Sequence, residues 1–162
     1  MAVGNHKDIG PLVQDVVKRL LANDNLVKLL YYTNTDPLNN PNLSEKEKIQ
    51  KIFRNNILTV PHFQHPEDAQ SRIAVMATKS FPSSSPEYKE IVLRIDVLVP
   101  LTQWEINDDN LRPYAILGAI QESLNNKSIQ GLGRLRGGDF ELDFLSDEQS
   151  SFKTFFTTEN YD

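Results

Sequence analysis

His62 and His65, three residues apart with Glu67 and Asp68 close behind, offer the one cluster of metal-ligating side chains in this sequence. A zinc hydrolase sets two histidines one helical turn apart with a glutamate base between them. Here Phe63 and Gln64 fill the interval, and Pro61 and Pro66 bracket the run. That pattern predicts an irregular surface loop and no metal ligand set. Acidic pairs occur at Glu67-Asp68, Asp108-Asp109 and Asp147-Glu148. All three fall in turns or ahead of helices, where Asp and Glu cap or solvate the chain. Hydrolysis by paired carboxylates needs acids converging across a cleft, which adjacent turn residues do not suggest. Nor is there a G-x-S-x-G nucleophile motif or a Gly-rich loop ending in Lys-Ser or Lys-Thr. Zero cysteines exclude disulfides, thiolate metal sites and thiol nucleophiles. No catalytic residue, metal or cofactor is therefore expected. A small metal-dependent hydrolase or nuclease, its acids assembled only by the fold, is the alternative from another class.

The most unusual stretch is Gly131-Leu132-Gly133-Arg134-Leu135-Arg136-Gly137-Gly138. A phosphate cradle would place such glycines between a strand and a helix N-terminus, whereas here another strand pattern follows. The expected structure is a glycine-bearing strand running into a hairpin turn at Gly137-Gly138. Arg134 and Arg136, two apart, would share one face as a short positive rail, and Gly131 and Gly133 would let another chain come close. On the bland reading both arginines pair with Glu141 and Asp143 on the next strand. Trp104, in the connection after the strongest strand, is a core residue or an interface anchor. Phe155 belongs to a near-terminal strand with aromatics on both faces, which a neighbouring subunit can cover.

The elements that would position these residues follow from periodicity. Asp8 and Pro11 open a helix carrying Leu12, Val13, Val16, Val17, Leu20 and Leu21, and a shorter one holds Leu26 to Tyr31. An Asn/Pro-rich loop (33–43) precedes Ser44-x-x-Glu47, a capping box that opens a third helix over roughly 45–55. From Arg72 the period becomes two. The strongest strand, 91–99, alternates Ile91, Leu93, Ile95, Val97 and Val99 with Val92, Arg94, Asp96 and Leu98. A helix over about 111–125 has Pro113 in its first turn, and Gly118 in its middle implies close packing on a sheet. Strands are predicted at 129–136, 139–145 and 151–158, with Phe140, Leu142 and Phe144 on the buried side of the second. Hairpin-joined strands with helices on one face make a single α+β domain over 1–162: a helical part at 1–56, then a sheet at 70–158 with one helix.

The 162 residues suffice for one self-sufficient core. Net charge is -5, with basic and acidic residues 8 and 6 over 1–60, 4 and 8 over 61–110, and 5 and 8 over 111–162. With a pI near 5.2, this is not the footprint of a general nucleic-acid binder. The polar N-terminus and the lack of a long apolar run predict neither a signal peptide nor a membrane partner.

Leu29-Leu30-Tyr31-Tyr32 followed by Asp36-Pro37-Leu38 resembles the openings of tailed-bacteriophage neck and tail proteins. Arg112-Pro113-Tyr114, then Gly131-Leu132-Gly133-Arg134-Leu135 and an alternating hairpin, is similar to the tail terminator (tail completion) family. The likeness follows element order over most of the chain. It implies an α+β virion subunit forming a homohexameric ring that caps the tail tube, stops its growth and meets the head connector. It also implies tail tube and head-connector or neck proteins as partners, passive contact with DNA in the lumen, and residence in the host cytoplasm during assembly. The loops 33–43 and 61–66 depart from the family's compact core, leaving a neck ring, a tube-initiating or a baseplate protein as further positions.

Overall fold

The computed structural model describes residues 6–60, 70–82, 89–129 and 133–159. The histidine loop, with His62, His65, Glu67 and Asp68, lies outside the described residues, as does Gly131.

The N-terminal third is helical. α1 (Ile9–Leu21) and α2 (Asp24–Tyr31) each bury one apolar stripe: Leu12, Val16, Val17 and Leu20 on the first, Leu26, Val27, Leu29 and Leu30 on the second. Asp8 does not cap α1, because it is itself helical, at the end of a 3-10 turn over His6–Asp8. The working cap is Asn23, whose Oδ1 accepts from the Leu26 amide at 3.1 Å. The Ser44–Glu47 capping box forms as expected, but α3 (Glu45–Glu47) continues only as a π-turn through Lys48–Ile52.

Eight strands follow among the described residues: β1 (Ile57–Leu58), β2 (Arg72–Pro82), β3 (Lys89–Pro100), β4 (Glu105–Ile106), β5 (Asn110–Leu111), β6 (Ser128–Ile129), β7 (Gly133–Leu145) and β8 (Gln149–Glu159). α4 (Arg112–Leu124) stands between β5 and β6. Six of them form one sheet in the order β1-β2-β3-β8-β7-β6, antiparallel except for the short β1–β2 pair. β3 is interior, as its alternation predicts. Ile91, Leu93, Ile95, Val97 and Val99 are fully buried and pack with Ile73, Val75, Phe152 and Phe156 against the helices. The fold is thus α+β with the helical layer on one sheet face. The two-stranded β4–β5 piece turns through Asp108 and Asp109, both with positive φ (65° and 55°), so these acids are turn residues.

Three further expectations fail. Gly137-Gly138 is not a hairpin turn, because β7 runs unbroken from Gly133 to Leu145 along β8. The pair forms a bulge within the strand, with φ of 142° and 105°. A Cβ on Gly137 would lie 2.3 Å from the Phe155 carbonyl oxygen, so only glycine lets the backbones approach there. Gly118 is not pressed on the sheet either: a Cβ added to it would meet nothing within 4 Å. Finally, Phe140, Leu142 and Phe144 are not half of a buried strand, and their exposure defines the site described next.

Candidate assembly interface

β6 covers only the start of β7, pairing Ile129 with Gly133 and Ser128 with Arg134. The chain before β6 prolongs that cover, since the Asn126 amide donates to the Leu135 carbonyl and Asn125 Oδ1 accepts from the Gly137 amide. Beyond Gly137, no strand among the described residues pairs with the outer edge of β7. This open stretch carries Phe140, Leu142, Phe144 and Leu145 at 49%, 53%, 50% and 59% exposure, and Tyr114 at the start of α4 is 43% exposed nearby. Exposed large apolar groups gathered on an unpaired sheet edge are a liability unless a partner covers them.

Two bulges set which side chains face where. The first, at Gly137/Phe140, brings Phe140 opposite Thr154 and Leu142 opposite Phe152, on the helix-side face. The second, at Leu142/Phe144, places Phe144 opposite Ser151 and Leu145 opposite Ser150. Ring packing anchors the helix-side face: Phe152 lies 5.9 Å from Phe140, 5.7 Å from Tyr114 and 6.0 Å from Trp104, centroid to centroid. Trp104 and Tyr114 meet edge to face at 6.4 Å. Beside these rings, Tyr114, Leu117, Gly118, Gln121, Gly138, Asp139 and Phe140 line a groove of about 510 Å³ between α4 and the open edge.

The opposite face of the same edge is ionic. Lys153 bridges Glu141 (3.3 Å) and Asp143 (3.6 Å), and Arg94 joins Asp96 (2.6 Å) to Asp143 (3.4 Å). Asp96 is buried there, and its hydrogen bond, with Coulombic help from Asp143 and Glu141, raises the Arg94 pKa despite the opposing effect of burial.

Arg112 fixes α4, and with it Tyr114, against the helical layer. Its side chain is fully buried and donates to the carbonyls of Gln103 (2.8 Å), Tyr32 (2.8 Å), Asn34 (2.7 Å) and Leu29. Desolvation pushes its pKa down to about 10, so the guanidinium stays charged at neutral pH and those oxygens compensate it.

The sequence-derived site residues do not converge. Trp104 belongs to the aromatic cluster, half-buried. Phe155 is half-buried on the other face, opposite Arg94. Gly133, Arg134 and Arg136 lie at the far end of β7. Arg134 Nη1 donates to Asn126 Oδ1 at 3.2 Å, and Arg136 pairs with Glu159 at 3.3 Å. Glu141 and Asp143 are not their partners, because those acids lie further along the same strand and bind Lys153 and Arg94. Sequence does not mark Phe140, Leu142, Phe144, Leu145 or Tyr114 as interface residues. Alternation alone reads as a half-buried strand, and the edge position depends on sheet order.

Among the described residues, no three His, Asp or Glu side chains gather as a metal ion would require, and no helix is long and apolar enough to cross a membrane. No curated protein matches the chain. Residues 23–158 match the YomW family, and since that is most of the chain, the protein belongs to this family, whose name comes from a phage-derived Bacillus protein and marks it as phage-related.

Proposed function

We propose that this phage-related chain is a non-enzymatic assembly subunit of a tailed-phage particle, a ring-forming tail terminator or neck protein at the head–tail junction. The observation that carries the reading is the open edge of β7. A strand edge that no described strand pairs with, carrying half-exposed Phe140, Leu142, Phe144 and Leu145, is suited to burial by another chain. The resemblance of Arg112-Pro113-Tyr114 and the Gly131–Leu135 segment to tail terminators supports the position at the head–tail junction. In that role the subunit ends tube growth and offers one ring face to the tube protein and the other to the connector, using shape and charge and no bond chemistry.

Disabling the gene in the phage or prophage that carries it tests this. Electron micrographs of the lysate should then show filled heads apart from tails of uncontrolled length. Normal, joined particles of normal tail length contradict the assignment. Heads joined to normal tails that lack a baseplate favour the other position, at the distal end.

A further inference from the structure

We infer that copies of this chain associate head to tail by sheet continuation, the open edge of β7 (138–145) in one copy pairing with the open edge of β2 (75–82) in the next. This names the contact of the ring proposed above and rests on that reading.

Among the described residues the sheet has two open edges. At one end β1 covers only Ile73 and Ala74 of β2, and among the described residues nothing pairs with β2 beyond them on that side. At the other end no described strand pairs with β7 beyond Gly137 on its outer side. Three antiparallel steps, β2–β3, β3–β8 and β8–β7, make β7 run opposite to β2. A neighbour placed beside β7 in the same orientation therefore offers its β2 antiparallel, as in every long pair of this sheet.

Charge separates this pairing from its main rival, the self-pairing of two β7 edges about a two-fold axis. Residues opposite one another across antiparallel strands share a face. Asp139, Glu141 and Asp143 alternate along the open edge, so an antiparallel β7–β7 register keeping the helix-side faces together sets acid against acid. Like charges directly opposite are destabilising. The β2 edge offers the complement. Lys79 is exposed and lies on the same face as the acids: the register runs from Lys79 through Val92 and Thr157 to Arg136, and, past the Met76–Arg94–Phe155 row of the same face, from Ala74 through Asp96 and Lys153 to Glu141. Phe81 lies beside Lys79, its ring 5.5 Å from Nζ, and gives that edge an apolar member. The bulge after Ala77, together with Lys79 and Pro82, discourages indiscriminate pairing, so the edge discriminates in favour of an acidic partner strand. Contact between two different edges of one molecule is heterologous, and it closes into a ring when the rotation per subunit divides a full turn.

The 162-residue chain has no cysteine, so introduced pairs report without background. Lys79→Cys combined in turn with Asp139→Cys, Glu141→Cys and Asp143→Cys should give a ladder of cross-linked multimers on oxidation in at least one combination. Charge reversal gives an independent reading. Lys79→Glu and Glu141→Lys should each weaken self-association at least tenfold while the chain stays folded by circular dichroism. An equimolar mixture of the two should recover it, because each junction then joins opposite charges. Wild-type assembly by Lys79→Glu, or cross-linking through Glu141→Cys alone, overturns the edge pairing. Rings that form yet never cross-link between β2 and β7 overturn the edge pairing and leave the ring itself standing. A wild-type chain that stays monomeric at every concentration removes the ring and the pairing together.

Discussion

Arg112 is the largest fully buried side chain among the described residues, and its role is architectural. It ties the end of α2 and the following loop to the start of α4 through main-chain carbonyls, so one side chain satisfies several acceptors that have no helical partner. Arg112→Met keeps most of the volume and removes every donor, so buried oxygens lose their partners at about 1–3 kcal/mol each. Its urea midpoint should fall by an amount equivalent to about 3 kcal/mol or more, with a Tm drop of roughly 6–12 °C for a chain of this size. Gly118 gives the opposite sign. Open space surrounds its missing Cβ and its φ is ordinary, so Gly118→Ala should stabilise α4 by up to about 1 kcal/mol. Neither effect is legible in sequence. An arginine before a proline reads as a solvated helix start, and a mid-helix glycine reads as a close-packing site.

Among the elements, the sequence carries the helices and the interior strand well, because their burial is one-sided and periodic. α1, α2, α4 and β3 lie within a few residues of their predicted spans, and Ser44-x-x-Glu47 forms the capping box its spacing requires. Ile95 is fully buried on β3, so Ile95→Asp would desolvate an unpaired carboxylate and should yield no soluble, cooperatively melting protein. The C-terminal half was harder to read for a physical reason. Gly137-Gly138 has the composition of a tight turn, yet its neighbours hold it extended as a bulge, and whether a glycine pair turns or bulges depends on contacts distant in sequence. Here the deciding contact is the Phe155 carbonyl, which leaves room at Gly137 for a hydrogen and none for a Cβ. Gly137→Ala should therefore destabilise the domain by about 1–3 kcal/mol in urea titration. It should also disturb Phe140 and Leu142 downstream, measured as a change in their side-chain NMR signals.

For the whole molecule, an acidic phage-related α+β domain ends on one side in a strand that no other described strand covers beyond Gly137, with aromatic and aliphatic groups half in water. The same domain ends on the other side in an edge that carries Lys79. The sequence showed these as alternating segments but could not show that they are edges, since edge status follows from strand order. The site drawn from residue types alone, around Arg134, Arg136 and Trp104, accordingly covers only its margin. Charge pairing between exposed edges weakens with salt, since the Debye length falls from about 10 Å at 0.1 M to about 3 Å at 1 M. Whether the chain assembles with itself is read out by its native mass across a concentration series by light scattering. The expected result is a species of six times the 18.5 kDa chain mass that dissociates on dilution, sooner in high salt. A mass of one chain at every concentration and ionic strength would contradict it.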